Sequence, residues 1–321
     1  MTKVLNEREG ETPSRQHVVA YLLHIATVRR YSPNTVAGYK LDLNFLLKEV
    51  EQNGKPLTDT TPAEVREAII KLRRNKLSPA TVARYLASWR GFYSYAVLKL
   101  GYPDNPCIRQ KGPRVVRPLP KLLFVDNCTQ LLDGIPVEQT DQDALLARDR
   151  AMFELLYSSG LRVSELTGLD ENDIDLCARD ARVKGKGNKT RIVPVGKQAC
   201  TAIKTWLNWR QTLIRVDDTA ALFLGRHGSR LSVRSVQLRL DQWVKRTALG
   251  QPVNPHMLRH AFASHMLQSS GDLRAVQELL GHANVTTTQI YTFLDWPRLA
   301  KVYNTAHPRA KRMNDEKGAL P

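Results

Sequence analysis

The sequence predicts a mainly α protein with a small β-sheet, arranged as an N-terminal helical bundle followed by a mixed α+β domain. Three observations carry that prediction. Residues 14–102 place apolar side chains at helical spacing and contain no good strand; residues 181–195 read as a pair of short strands; and residues 103–121 form a proline-rich strap between the two regions. A chain of 321 residues, 42% hydrophobic and 25% charged, is long enough to bury two cores.

Residues 1–13 are polar and predicted to be loose. Val18, Val19, Leu22, Leu23 and Ile25 give 16–30 a helical stripe. Ser32 and Pro33 open a second helix, with serine as N-cap and proline at the first helical position. Its apolar residues Val36, Tyr39, Leu43, Leu46 and Leu47 keep close to a 3.6-residue period. Thr61-Pro62 and Ser78-Pro79 open a third and a fourth helix by the same device, the fourth with Val82, Tyr85, Leu86, Trp89, Phe92 and Tyr93 along one side. SPNTVAGY at 32–39 and SPATVARY at 78–85 read as two helices that share good caps. Arg29, Arg30, Lys40, Arg73, Arg74, Lys76, Arg84 and Arg90 are candidate phosphate grips on this bundle, though each taken singly is a surface charge.

The strap holds five prolines and five basic residues, with no acid after Asp104, and is predicted to be extended. Beyond it, 122–132, 144–158 and 165–169 read as helices. Strands at 181–183 and 191–195 flank a turn rich in Gly, Asn and Lys, and 200–215 is helical. Residues 221–224 are a short strand or a buried segment. The helix at 232–248 sets Val233, Val236, Leu240, Trp243 and Val244 against Arg234, Arg239, Lys245 and Arg246, and is the best candidate for lying along a DNA groove. A short helix at 297–303 and the basic run 307–312 close the domain, leaving 313–321 as a tail predicted to be disordered.

Forty-eight Lys plus Arg against 31 Asp plus Glu leave a formal charge of +17, which points to a polyanion, nucleic acid first. No stretch approaches the ~18 apolar residues of a membrane span, and the N-terminal segment lacks the apolar core of a signal peptide. Cys107, Cys128, Cys177 and Cys200 form no CxxC pair, so a reduced, cytoplasmic protein without zinc site or disulfide framework is expected.

The densest chemistry lies in 254–295, which packs His256, Arg259, His260, His265, His282 and Tyr291 into about forty residues. His256, Arg259 and His260 sit at i, i+3 and i+4 and would share one helix face. Gly281 reads as the residue that ends the next helix just before His282. Arginines, histidines and a tyrosine, with no carboxylate or cysteine cluster nearby, suit work on an anion. GKGNK at 185–189 lacks the spacing of a nucleotide P-loop.

In order, the motifs LYSSGLRVSEL, VKGKGNKTRIVPV, HMLRHAFASHML and LGHANVTTTQIYTFLD strongly resemble the tyrosine site-specific recombinases, and within them the Xer branch that resolves chromosome dimers. The resemblance spans 120–312 and, less tightly, the bundle. It implies that 14–102 is a core-binding DNA-binding domain, 103–121 an interdomain linker and 122–312 a tyrosine-recombinase catalytic domain. By the same resemblance Arg162, Lys186, His256, Arg259 and His282 are catalytic and Tyr291 is the nucleophile. Phe293 departs from the pattern by standing where the family usually has histidine.

The chemistry suits these types. Two guanidiniums neutralise the non-bridging oxygens with forked, always-charged donors. Tyrosine is unreactive at its free pKa near 10, so a base, His256, takes its proton as attack proceeds. Lys186, on a mobile turn, is the general acid for the departing 5′-oxygen, and His282 steadies the phosphate. His260 and His265 are expected to be structural. No metal or other cofactor is expected. The resemblance further implies a recombination site on double-stranded DNA, a sister recombinase of the XerD type in a heterotetramer, an FtsK-like septal translocase, and a helix after Tyr291 that docks on the neighbouring subunit. The rivals are a phage or integron integrase acting alone, a type IB topoisomerase, and a non-catalytic DNA-binding regulator.

Overall fold

The structure, a computed structural model, describes residues 12–114, 123–136, 143–185, 190–214, 220–281 and 296–310. It is mainly helical with one small sheet, as predicted, and divides into two compact units between Pro118 and Leu119.

The first unit is built on α1 (Pro13–Thr27), α2 (Pro33–Gln52), a 3₁₀ turn at Leu57–Asp59, α3 (Pro62–Arg74) and α4 (Pro79–Leu100). The start signals operate as predicted: Ser32 and Ser78 each accept from the backbone N–H three residues on, and Thr61 with Glu64 forms a reciprocal capping box. The repeated octapeptide is thus a repeated cap. Trp89 is fully buried at the centre of the bundle, where its indole N–H donates to the Asp42 carbonyl at 2.8 Å. Two of the candidate phosphate grips are engaged within the bundle: Arg84 ion-pairs with the buried Asp42 at 2.6 Å, and Arg90 donates to the carbonyls of Cys107 and Gln110.

Those carbonyls also revise the strap. Its beginning is not free linker, because Cys107 is fully buried in the bundle's core and the Gln110 amide donates to the Pro62 carbonyl at 2.8 Å. Proline removes backbone periodicity without removing side-chain anchors, so composition alone hides such packing.

The second unit is organised on α6 (Ala144–Ser159), which follows α5 (Val125–Asp133) and is buried on nearly every side from Ala147 onward. A helix so enclosed shows little amphipathic stripe. Short α7 (Val163–Gly168) leads to a three-stranded antiparallel sheet of β1 (Ile174–Asp175), β2 (Asp180–Lys184) and β3 (Thr190–Pro194) in the order β1-β2-β3. The β2–β3 register pairs Lys184 with Thr190 and Val183 with Arg191. β1 escaped the sequence reading because two residues carry no alternation. Residues 221–224 form no strand of the sheet; all four are buried, and Ala221 and Leu224 make single bridges to Asp170 and Arg230.

The remaining helices are α8 (Lys197–Leu213), α9 (Val233–Arg246), α10 (Pro255–Ser270), α11 (Leu273–Leu280) and α12 (Trp296–Ala306). α9 buries Val236, Leu240, Trp243 and Val244 and exposes Arg234, Lys245 and Arg246, whereas Arg239 turns in to ion-pair with the buried Asp149. Among the described residues no helix is long and apolar enough to cross a membrane.

The C-terminal segment packs on its own unit. Leu299, Tyr303, Ala306 and Ala310 join Phe262 and Met266 of α10 and Val276 and Leu279 of α11 in one apolar cluster. The His307 ring lies 5.0 Å from Tyr303 and Tyr157 and 5.3 Å from Phe262, and Arg309 ion-pairs with Asp133 at 3.0 Å.

Burial, with the charges of His265 and Arg309, pushes the His307 pKa down to about 3. Unfolded, it would take a proton near 6.5, so below that pH the unfolded state binds more protons and stability falls as pH drops. Glu154, beside Arg309, has its carboxyl pushed up by burial and acts in the opposite sense. The informative measurement is therefore a difference: from pH 7 to 5 the melting temperature of His307→Phe should fall less than that of the parent.

Candidate active site

Arg162, Arg259 and a buried carboxylate form the centre. Arg162 is the residue just before α7, and its backbone N–H and Nη1 donate to the two oxygens of Glu165, each at 2.8 Å. Glu165 is the third residue of α7, where a carboxylate can return to the free N–H groups of the helix start. From β3, Arg191 grips the same carboxylate with a two-toothed fork, Nη1 to Oε1 at 2.8 Å and Nη2 to Oε2 at 3.0 Å. Arg259 Nη1 lies 3.9 Å from Oε2.

Arg259 comes from α10, which Asn254 caps by accepting from the Met257 N–H at 3.1 Å and which Pro255 opens. Its side chain enters the interior between two helix ends, donating to the Gly160 carbonyl at 2.6 Å and the Leu280 carbonyl at 2.7 Å. His256 and His260 stay exposed, so the triplet expected on one face is split: the arginine turns inward and the histidines face solvent. His265 is structural as expected, buried with Nδ1 2.9 Å from the Tyr157 hydroxyl and its pKa pushed down by burial.

Two glycines shape the walls. Gly160 ends α6 at φ 59°, and a Cβ there would stand 2.4 Å from the Phe262 ring. Gly281 ends α11 at φ 65°, as predicted, and a Cβ there would meet the Arg191 side chain at 3.1 Å. Gly160→Ala should therefore lose about 1–2 kcal/mol to the left-handed backbone alone, before the Phe262 clash is added; a melting temperature equal to the parent's would refute this.

The electrostatics favour an anion. Burial would raise the Glu165 pKa, but the hydrogen bonds and charge of Arg191 and the bonds from Arg162 prevail and hold it below the usual carboxylate range. Burial, then the charges of Arg162 and Arg191, push Arg259 down to about 10, so it is still cationic at neutral pH. Three guanidiniums thus converge on one carboxylate, leaving a surplus of two positive charges. Among the described residues no group of three or more His, Cys, Asp or Glu could hold a metal ion.

Of the six residues singled out in the sequence, the structure brings Arg162 and Arg259 together at Glu165 and leaves His256 exposed one turn before Arg259 on α10, while Lys186, His282 and Tyr291 lie outside the described residues. The described chain runs to Gly185 on one side of the hairpin turn and resumes at Thr190 on the other. Glu165 and Arg191 were missed. Glu165 had a signal, a carboxylate three residues into a helix start; Arg191 had a weaker one, a cation in register with Val193 and Val195 on a buried face.

A helical bundle, and an α+β unit that gathers arginines for an anion, define a class. The chain belongs to the phage integrase family and is a site-specific tyrosine recombinase: residues 18–99 match the N-terminal SAM-like domain of phage integrases and 125–296 match the phage integrase family itself. Within it the chain is similar to tyrosine recombinase XerC of Chromobacterium violaceum, 49% identical over 91% of this chain and 94% of that protein. Tyrosine recombinase XerC of Pseudomonas aeruginosa PAO1 is 45% identical over 95% and 98%. The fold is that of the XerH site-specific recombinase bound to palindromic difH, with a TM-score of 0.62 at 24% identity over 89% of this chain and 84% of that one.

Proposed function

We propose that this recombinase cuts DNA by attack of Tyr291 on a scissile phosphate, and that Arg162, Lys186, His256, Arg259 and His282 assist. The observation that supports this furthest is the surplus of guanidinium charge around Glu165. Arg162 and Arg259 take the non-bridging oxygens, where negative charge grows in the transition state. The tyrosine oxygen forms its bond to phosphorus as the bond to the 5′-oxygen breaks. His256 receives the phenolic proton, and Lys186 supplies one to the leaving 5′-oxygen, which departs as the 5′-hydroxyl. The 3′-phosphotyrosyl ester keeps the energy of the broken linkage, so the reverse attack by another 5′-hydroxyl reseals DNA without a nucleotide triphosphate.

The similarity to XerC recombinases supports a finer reading. Two copies act with two of a XerD-like sister on a pair of recombination sites, in the cytoplasm, resolving chromosome dimers under an FtsK-like translocase. The test is a nicked site that traps the covalent adduct. The adduct should form at Tyr291, as mapped by mass spectrometry of the DNA-linked peptide, and full recombination should require the sister. An adduct at another residue overturns the nucleophile assignment, and efficient recombination by this chain alone favours an integrase that needs no sister.

A further inference from the structure

We propose that Arg191 is a positioning residue for strand cleavage, tying together the three segments that carry the phosphate-facing groups. This rests on the proposed function of the site. Arg191 lies within VKGKGNKTRIVPV but was given no role there, and it is not placed to touch substrate: its guanidinium is buried, and its fork is spent on Glu165.

Its contacts run in three directions. Through Glu165 it holds Arg162, since Oε1 accepts from both Nη1 atoms and Oε2 accepts from the Arg162 backbone N–H and from Arg191 Nη2. Through Nε it donates to the Leu279 carbonyl at 3.3 Å, one residue before the Leu280 carbonyl that Arg259 holds. Through β3 it stands opposite Val183 in the hairpin whose turn includes Lys186. Gly281, one residue before His282, packs against the Arg191 side chain so closely that a Cβ would meet it at 3.1 Å. One planar group therefore sets the spacing of α7, the hairpin and the end of α11.

Its charge matters as much as its shape. Arg191 shares the Glu165 carboxylate with Arg162, so the cluster keeps its surplus of two positive charges for a phosphate. Lysine cannot replace it, because a single ammonium lacks the planar fork that serves two carboxylate oxygens and a carbonyl together.

The test compares Arg191→Lys and Arg191→Gln with the parent, with Tyr291→Phe as control, in DNA binding and in the rate of adduct formation on a nicked site. Both Arg191 variants should bind DNA within about threefold of the parent, while adduct formation slows by roughly 10- to 100-fold, the usual effect of losing a supporting partner. A second readout separates positioning from mere stability. In Arg191→Gln only Arg162 and the more distant Arg259 remain as cations facing Glu165, so its carboxyl takes a proton at higher pH, and the acid limb of the cleavage profile should move toward neutral. Variants that cleave at the parental rate, or slow only as much as their melting temperature falls with an unmoved acid limb, overturn the inference. An adduct that persists in Tyr291→Phe would instead overturn the function on which it rests.

Discussion

Glu165→Ala should destabilise the catalytic unit by about 3–5 kcal/mol, the usual consequence of breaking a buried ion pair from one side, and should abolish adduct formation. The carboxylate is 5% exposed and accepts four hydrogen bonds from two arginines, with a third guanidinium 3.9 Å away. Without it Arg162 and Arg191 lose their common acceptor, and three like charges face one another across the space it occupied. Glu165→Gln keeps the shape but removes the charge, and its amide places a donor against donors, so it should lie between parent and Ala. Denaturant unfolding and the nicked-site assay measure the two halves separately. A Glu165→Ala protein that melts with the parent would show that the cluster contributes nothing to folding.

Arg259→Gln should reduce the cleavage rate by at least about 10²–10³, the range for removing one charge-stabilising donor. It should also lose roughly 1–3 kcal/mol from the buried carbonyls left unpaired. Those carbonyls, at Gly160 and Leu280, explain why Arg259→Lys should fail to restore activity: one ammonium cannot reach both helix ends and a phosphate. DNA affinity, spread over many surface cations, should change far less. Equal losses in binding and cleavage would mean that Arg259 serves binding alone.

Much of the architecture was legible because it rests on local rules. Ser32, Thr61 and Ser78 announced helix starts through the hydroxyl and the proline that follows, and Gly281 announced a helix end through the left-handed backbone that glycine tolerates. What stayed hidden depends on partners distant in the chain. Arg191 and Glu165 are 26 residues apart, and each alone resembles an ordinary surface charge. Arg84 and Arg90 looked like phosphate grips, and Arg239 like part of a groove-facing helix, because a sequence shows a cation's sign but not its direction; all three pair with groups on their own unit. The packing of 296–310 on α10 and α11 was obscured for a related reason: an apolar helix face announces that it needs cover, not which elements supply it. The site was readable mainly through ordered motifs, while the joint role of its supporting carboxylate and third arginine emerged only in the fold.

Arg259 rests on the terminal carbonyls of two helices, Gly160 after α6 and Leu280 in α11. A helix advances about 100° per residue, so inserting or deleting one residue in either would swing its last carbonyl away from the guanidinium. Drift can rewrite the apolar positions of these helices, since those positions ask only for bulk. Their lengths are another matter. Lineages descending from this chain should accumulate insertions in the connections and almost none within α6 or α11, a ruler imposed by one side chain.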